Sequence, residues 1–181
     1  YIYLFREISI NLAAILFTSG GTGTPKGVTI QHQSVVNLIY YEQNKILHLS
    51  YRDNTLQFFG FGFDGMIWEL FPVLCFGSST LILPHDLNYG KLIHDHNISM
   101  IHMTPSMLNN MTIMPKSVRL LQVGGEALNK PMRYNIEMYN AYGPTENTVC
   151  STKFKLSINS DICIGKPISN TFCYVVYFGS L

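Results

Sequence analysis

The sequence predicts an α/β fold, on two observations. Short apolar runs of strand length alternate with mixed segments of helical length, and Gly or Pro residues stand between them. Strands are expected at residues 13–18, 55–58, 80–83, 100–103, 120–123 and 171–178, where apolar residues run together. Helices are expected at 33–47, 65–75, 88–96 and 106–110, where apolar and polar residues mix over longer spans. Breaks fall at 20–27, at Gly60 and Gly62, at Gly124-Gly125 and at Gly143-Pro144, and loops at strand ends are where such folds place ligand sites. Residues 84–90 form the expected surface excursion. No repeat or linker divides the 181 residues, so the chain reads as one domain or part of one.

With 47% hydrophobic and 13% charged residues the chain is globular rather than disordered. Twelve Lys and Arg oppose eleven Asp and Glu, giving a net charge of +1 with no run of one sign, so nucleic-acid binding has no electrostatic support. Cys75, Cys150, Cys163 and Cys173 show neither CxxC spacing nor a His cluster, which reads as reduced thiols in a cytoplasmic setting. The apolar stretch 70–83 is interrupted by Pro72, Gly77, Ser78 and Ser79 and is shorter than the roughly 20 residues a membrane span needs. The chain begins at Tyr1 and residues 174–181 are apolar, so both ends read as cuts.

Three segments carry chemistry. Thr18-Ser19-Gly20-Gly21-Thr22-Gly23-Thr24-Pro25-Lys26-Gly27 follows an apolar run and offers backbone N–H groups, hydroxyls and one ammonium, the means of gripping phosphate. It is not a Walker A loop, because Lys26 stands between Pro25 and Gly27. A plain Gly/Thr-rich surface turn is the other reading. Phe63-Asp64-Gly65-Met66-Ile67-Trp68-Glu69 sets one carboxylate in an apolar stretch; Asp64 needs a partner there, or else serves as a helix N-cap. Asn140-Ala141-Tyr142-Gly143-Pro144-Thr145-Glu146 joins a Gly-Pro turn to a stacking ring, a hydroxyl and a carboxylate suited to a hard cation.

Together these segments resemble, in order and spacing, the core motifs of the adenylate-forming superfamily, and in particular the adenylation domains of nonribosomal peptide synthetases. Val123-Gly124-Gly125-Glu126-Ala127-Leu128 and Ile164-Gly165-Lys166-Pro167-Ile168 are similar to further stretches of that family. The resemblance implies a partial AMP-binding domain over residues 1–181, part of the large N-terminal subdomain, with mixed sheets flanked by helices.

It also implies ATP and Mg²⁺ as cofactors. Thr18, Ser19, Gly20, Gly21, Thr22, Gly23, Lys26 and Thr145 would hold phosphates. Gly125, Glu126, Asn140 and Tyr142 would lie about adenine, Glu146 would bind Mg²⁺, and Thr145, Glu146 and Lys26 form the catalytic set. Gly21 departs from the family's Ser or Thr and removes one hydroxyl contact. Asp64 would pair with the α-ammonium of an amino acid. The substrate side chain would be lined by Gly65, Trp68, His102, Gln122, Gly124, Ala141, Val149 and Cys150, with volume left at Gly65, Gly124 and Ala141, for a mid-sized to large neutral side chain. A satisfied core histidine is the other reading of His102.

The implied activity is attack of the amino-acid carboxylate on the α-phosphorus of ATP, then transfer of the aminoacyl group to the phosphopantetheine thiol of a carrier domain, with condensation domains as further partners. The family's ribose-binding Asp, hinge and C-terminal lysine are not among these residues, so the chain alone is expected to turn over amino acid negligibly. The stretches 124–140 and 68–102 are shorter than the family's. Acyl- or aryl-CoA synthetases share the loop and the Tyr-Gly segment, and Asp64 with Trp68-Glu69 argues against them. An inactive remnant and an adenylation domain joined to a reductase are the remaining readings.

Overall fold

The computed structural model describes residues 9–19, 23–82, 89–129, 134–158 and 161–177. An antiparallel hairpin comes first, β1 (Leu12–Thr18) and β2 (Lys26–Gln31), followed directly by α1 (His32–Glu42) and one π-helical turn (Gln43–Leu47). Gln31 offers α1 no side-chain cap; the first free N–H groups of the helix, on His32 and Gln33, donate instead to the carbonyls of Asn11 and Ser9.

A seven-stranded sheet forms the body, in the order β4 (Ser79–Ile82), β3 (Asn54–Gln57), β5 (Met100–Met103), β6 (Leu120–Val123), β7 (Glu137–Tyr142), β8 (Thr152–Leu156), β9 (Lys166–Pro167). Neighbours from β4 to β7 run parallel, β8 is antiparallel to β7, and β9 is antiparallel to β8. Three helices lie between the parallel strands: α2 (Gly65–Phe76), α3 (Tyr89–Asp95) and α4 (Pro105–Asn110). Thr104 caps α4 through its side chain, and Pro105 occupies the first turn where no N–H is needed.

Alternation along the central strands divides two faces. Ile101, Met103, Leu121 and Val123 join a core with Ile93 of α3 and Leu108 of α4. Met100 and Leu120 face the other way, against Ile46 and Leu47 after α1. On that second face Val35, Leu38 and Ile39 of α1 meet Ile67 and Trp68 of α2, the hairpin residues Leu16, Val28 and Ile30, and Ala141 and Cys150.

The α/β class holds, and β5 and β6 fall on the expected residues. Four strands were not expected: β2, β7, β8 and β9. The segments of β7 and β8 mix apolar residues with Asn140, Lys153 and Lys155, so neither reads as an apolar run. The expected strand at 171–178 does not form over its described residues 171–177; with no strand paired to that backbone, Phe172, Tyr174, Val175 and Tyr177 stand exposed. The helix expected at 33–47 remains α only to Glu42 and then widens into the π turn, closed by His48 in the left-handed region. Leu83, most of the excursion at 84–90 and Asn88 lie outside the described residues.

Candidate active site

The Gly-rich loop is closed by its own hairpin. Thr18 pairs with Lys26 at the end of the β1–β2 ladder, which fixes the two ends of the segment. Gly20, Gly21 and Thr22 lie outside the described residues. Ser19 is exposed, and the Thr18 hydroxyl is buried with no hydrogen-bond partner among the described residues. Lys26 Nζ lies 2.8 Å from Glu146 Oε1, both side chains being half exposed or more. The Lys26 ammonium holds the Glu146 carboxyl below the ordinary carboxylate range. The base of the loop and the acid of the Tyr-Gly segment are therefore neighbours.

Asp64 stands at the head of α2, with φ −63° and ψ −25°, but its side chain does not cap the helix. Burial raises its carboxyl above the ordinary range; a hydrogen bond from Thr145 and the Gly65 N–H oppose the rise, and the charge of Glu146 adds to it. Among the described residues no cation pairs with Asp64. The expected members Lys26, Glu146, Thr145 and Asp64 thus form one continuous row drawn from all three motifs.

Beside this row lies a cavity of about 410 Å³. Gly125, Glu126, Asn140 and Tyr142 line it, as do Ala127, Leu128, Gly143 and the segment from Ile162 to Ile164. Tyr142 presents a half-exposed ring. Hydrogen bonds fix the walls: Glu126 accepts from the Ser106 N–H (3.0 Å) and hydroxyl, and Asn140 Nδ2 donates across to the Cys163 carbonyl at 2.9 Å. Ile162 and Cys163 were not among the expected site residues; only the neighbouring Ile164 fell in a recognised stretch. A second cavity, of about 430 Å³, has Glu146 in its wall, with Gln33, Ser34 and Asn37 of α1, Thr148 and Ile168.

The expected side-chain wall is brought together but tightly filled. His102 and Gln122 face each other across β5 and β6, and both are 0% exposed. Trp68 packs against His102 with ring centroids 4.2 Å apart and ring planes tilted by 46°. Gln122 Nε2 lies 3.3 Å from His102 Nε2 and donates to Glu42 Oε2 at 3.0 Å. Two residues absent from the expected set complete the cluster: Glu42 in α1 and Lys153 in β8, which form a buried ion pair, with Lys153 Nζ also donating to Gln122 Oε1. Ala141 sits opposite Lys153 in the β7–β8 register. Burial pushes the Cys150 thiol up to about 12 and, with the Lys153 charge, holds the His102 imidazole well below its ordinary range.

Two glycines expected to leave volume serve close packing instead. A Cβ on Gly65 would sit 2.5 Å from the Phe59 ring, and one on Gly124 would sit 3.0 Å from the Ala141 carbonyl oxygen. Thr148 and Val149 both adopt positive φ, 56° and 71°, an uncommon backbone for β-branched residues and a strain of about 1–3 kcal/mol each placed between Glu146 and Cys150.

Glu69 has a role not foreseen from sequence. Its Oε2 accepts the N–H groups of Phe58 and Phe59, both at 2.9 Å, and so fixes the turn that places Phe59 against Gly65. Burial pushes its carboxyl up to about 8, partly offset by those two N–H groups.

Solved structures share this architecture. The Vibrio cholerae adenylation domain AlmE, in complex with glycyl-adenosine-5'-phosphate, superposes with a TM-score of 0.78 at 24% identity, covering 90% of this chain and 34% of that one. The Klebsiella oxytoca NpsA N-terminal subdomain, in complex with anthranilyl-AMSN, gives 0.75 at 23% identity, covering 89% and 46%. The fold is accordingly that of the N-terminal subdomain of adenylation domains.

The chain belongs to the AMP-binding enzyme family, whose model matches residues 9–177. It is 36% identical over 173 residues to bacitracin synthase 1 of Bacillus licheniformis, 33% over 184 to tyrocidine synthase 3 of Brevibacillus parabrevis, and 37% over 185 to malpinin synthetase of Mortierella alpina. Each match covers 92% of this chain but only 2% or 3% of the relative's length.

Proposed function

We propose that the domain to which this chain belongs activates an α-amino acid with ATP as an aminoacyl-adenylate, for loading onto a carrier phosphopantetheine in nonribosomal peptide synthesis. The observation that carries the reading is Asp64: a half-buried carboxyl with no cation among the described residues, beside Thr145 and Glu146. Such a group is costly unless a positive charge arrives, and an α-ammonium is the charge that distinguishes an amino acid from a fatty or aryl acid.

The residues present fit the cofactors this reading needs. Glu146 is a half-exposed oxygen donor whose salt-bridge partner is Lys26, and a polyphosphate that drew Lys26 away would leave Glu146 free for Mg²⁺. Mg²⁺ held there would offset the negative charge of the phosphates. The 410 Å³ cavity, with the Tyr142 ring on one side and the polar groups of Asn140 and Glu126 at its edge, suits a nucleobase.

In the reaction a substrate carboxylate oxygen bonds to the α-phosphorus while the bond from that phosphorus to the bridging oxygen breaks, and pyrophosphate leaves; no proton is transferred. The chain's share of this work is positional and electrostatic. Asp64 anchors the ammonium, Lys26 and the loop at 18–24 hold phosphate oxygens, and Thr145 links the two anchors. Transfer would follow when the carrier thiol attacks the acyl carbon and AMP departs. Carrier and condensation domains are the partners this implies, as the synthetase relatives suggest. The described cysteines are free, in keeping with a cytoplasmic setting, and no helix among the described residues is long and apolar enough to cross a membrane.

The test is exchange of labelled pyrophosphate into ATP by the chain extended through its own flanking sequence to a complete domain, across amino, fatty and aryl acids. Exchange with one or a few amino acids is expected. Exchange confined to fatty or aryl acids would indicate a CoA-ligase-type enzyme, and none from a folded protein an inactive remnant.

A further inference from the structure

Among the described residues the fold buries an ion pair that the chemistry above does not use. The side chains of Glu42 and Lys153 are 0% and 1% exposed and bonded to each other. Taking two charges out of water is poorly repaid as a stabilising device, so their location is informative. Lys153 donates to Gln122, and its ammonium stands 4.2 Å over the Trp68 ring. Glu42 accepts from Gln122 at 3.0 Å, and Cys150 Sγ lies 4.0 Å from its other oxygen. These contacts are with residues placed at the substrate's side chain, and Lys153 is the register partner of another, Ala141.

The same cluster holds two polar atoms in need of partners. Trp68 Nε1 and His102 Nδ1 are buried with no hydrogen bond among the described residues. One is a donor; the other, on an imidazole kept neutral by burial, donates or accepts according to its tautomer.

Building on the aminoacyl-adenylate reading, we propose that Glu42 and Lys153 are specificity-determining residues. As a mutually neutralising pair packed behind the expected side-chain wall, they favour a neutral side chain bearing a hydrogen-bonding group and reject acidic and basic ones. An acidic side chain gains Lys153 only by stripping Glu42 of its counter-charge, and a basic one does the reverse. A neutral polar group leaves the pair intact and satisfies Trp68 Nε1 or His102 Nδ1. A pocket that leaves its own buried groups unpaired discriminates strongly against the wrong substrate.

The test is amino-acid-dependent pyrophosphate exchange by the completed domain, comparing kcat/KM for neutral polar, apolar, acidic and basic amino acids of similar size. The wild type should prefer neutral polar side chains. Glu42→Gln leaves Lys153 without its counter-charge and should shift the acidic-to-neutral ratio upward by roughly tenfold or more; Lys153→Met should do the same for basic side chains. The double substitution Glu42→Gln/Lys153→Met carries no unpaired charge, so it keeps the test alive if a single variant fails to fold. It should raise the apolar-to-polar ratio by roughly tenfold. Ratios unchanged in the double variant and in each single variant that folds would reduce the pair to a structural role, as would a wild type confined to charged side chains. No exchange by the wild type with any acid would overturn the aminoacyl-adenylate reading and this inference with it, whereas exchange with unchanged ratios overturns the inference alone.

Discussion

The two ends of the parallel sheet treat the same residue type in opposite ways. At the N-terminal end Asp53, just before β3, accepts hydrogen bonds from the Ser50 N–H (3.0 Å), the Ser50 and Ser99 hydroxyls and Arg119 Nε (2.9 Å). Arg119 in turn donates to the Leu47 carbonyl at 2.7 Å. Burial works against the Asp53 carboxylate, yet these donors hold it below its ordinary range. At the C-terminal end Asp64 has the Thr145 hydroxyl and the N–H groups of Gly65 and of its own backbone, an acidic neighbour in Glu146, and still a raised carboxyl. One carboxylate is spent on holding strands together, and the other is left short of positive charge. Ligand sites in open α/β sheets lie at the carboxyl ends of the strands, and the proposed site at Asp64 follows that rule.

Four substitutions sharpen the contrast, in order of falling effect on stability. Lys153→Met, between the two ends, strands the buried Glu42 carboxylate and should lower unfolding free energy by about 3–5 kcal/mol, measured by denaturant titration of the complete domain. Glu69 comes next and is read by pH. The folded state keeps its proton up to about 8 while the unfolded chain releases it near 4.5, so the unfolded state binds fewer protons in between and stability falls as pH rises through that window. The loss from this one group is about 3 kcal/mol by pH 7. Glu69→Gln, which keeps an oxygen for the Phe58 and Phe59 N–H groups, should flatten the slope; an unchanged slope would remove Glu69 as its source.

Asp53→Ala should cost about 2–3 kcal/mol by leaving Arg119 and Ser99 without their acceptor, while the folded domain keeps its apparent affinity for amino acid. A change in substrate affinity as large as the change in stability would break the division between the ends. Lys26→Ala removes a half-exposed ion pair and should cost less than about 1 kcal/mol of stability. Its effect should fall instead on ATP, raising KM by roughly tenfold through a lost charge-assisted contact.

Much of this was legible before the structure. Chemistry alone left a surface turn and a helix N-cap open, and the family resemblance is what singled out Lys26, Asp64, Thr145 and Glu146 from three distant segments; they meet in one row. The alternation of elements gave the fold class, and the short apolar runs of β5 and β6 marked those strands because both faces are buried. What escaped depends on pairing between distant segments. Lys153 sits in a strand where Lys155 is exposed, and only the β7–β8 register and the position of α1 reveal that Lys153 turns inward to Glu42. Glu42 near the end of a mixed helix reads as a solvent-facing charge for the same reason. Residues 171–177 show the opposite failure, apolar enough for a strand but without a strand to pair with.

The account rests on Asp64 being short of a cation that the substrate brings. The direct measurement is pyrophosphate exchange by the completed domain with its preferred amino acid, with the same acid lacking its amino group, and with Asp64→Ala. The account predicts that removing either the substrate's ammonium or the Asp64 carboxylate lowers kcat/KM by roughly a hundredfold or more. It also predicts that the des-amino acid loses little further in the variant, because the two groups act on each other. Full exchange by Asp64→Ala, or equal use of the amino and des-amino acids by the wild type, would contradict it.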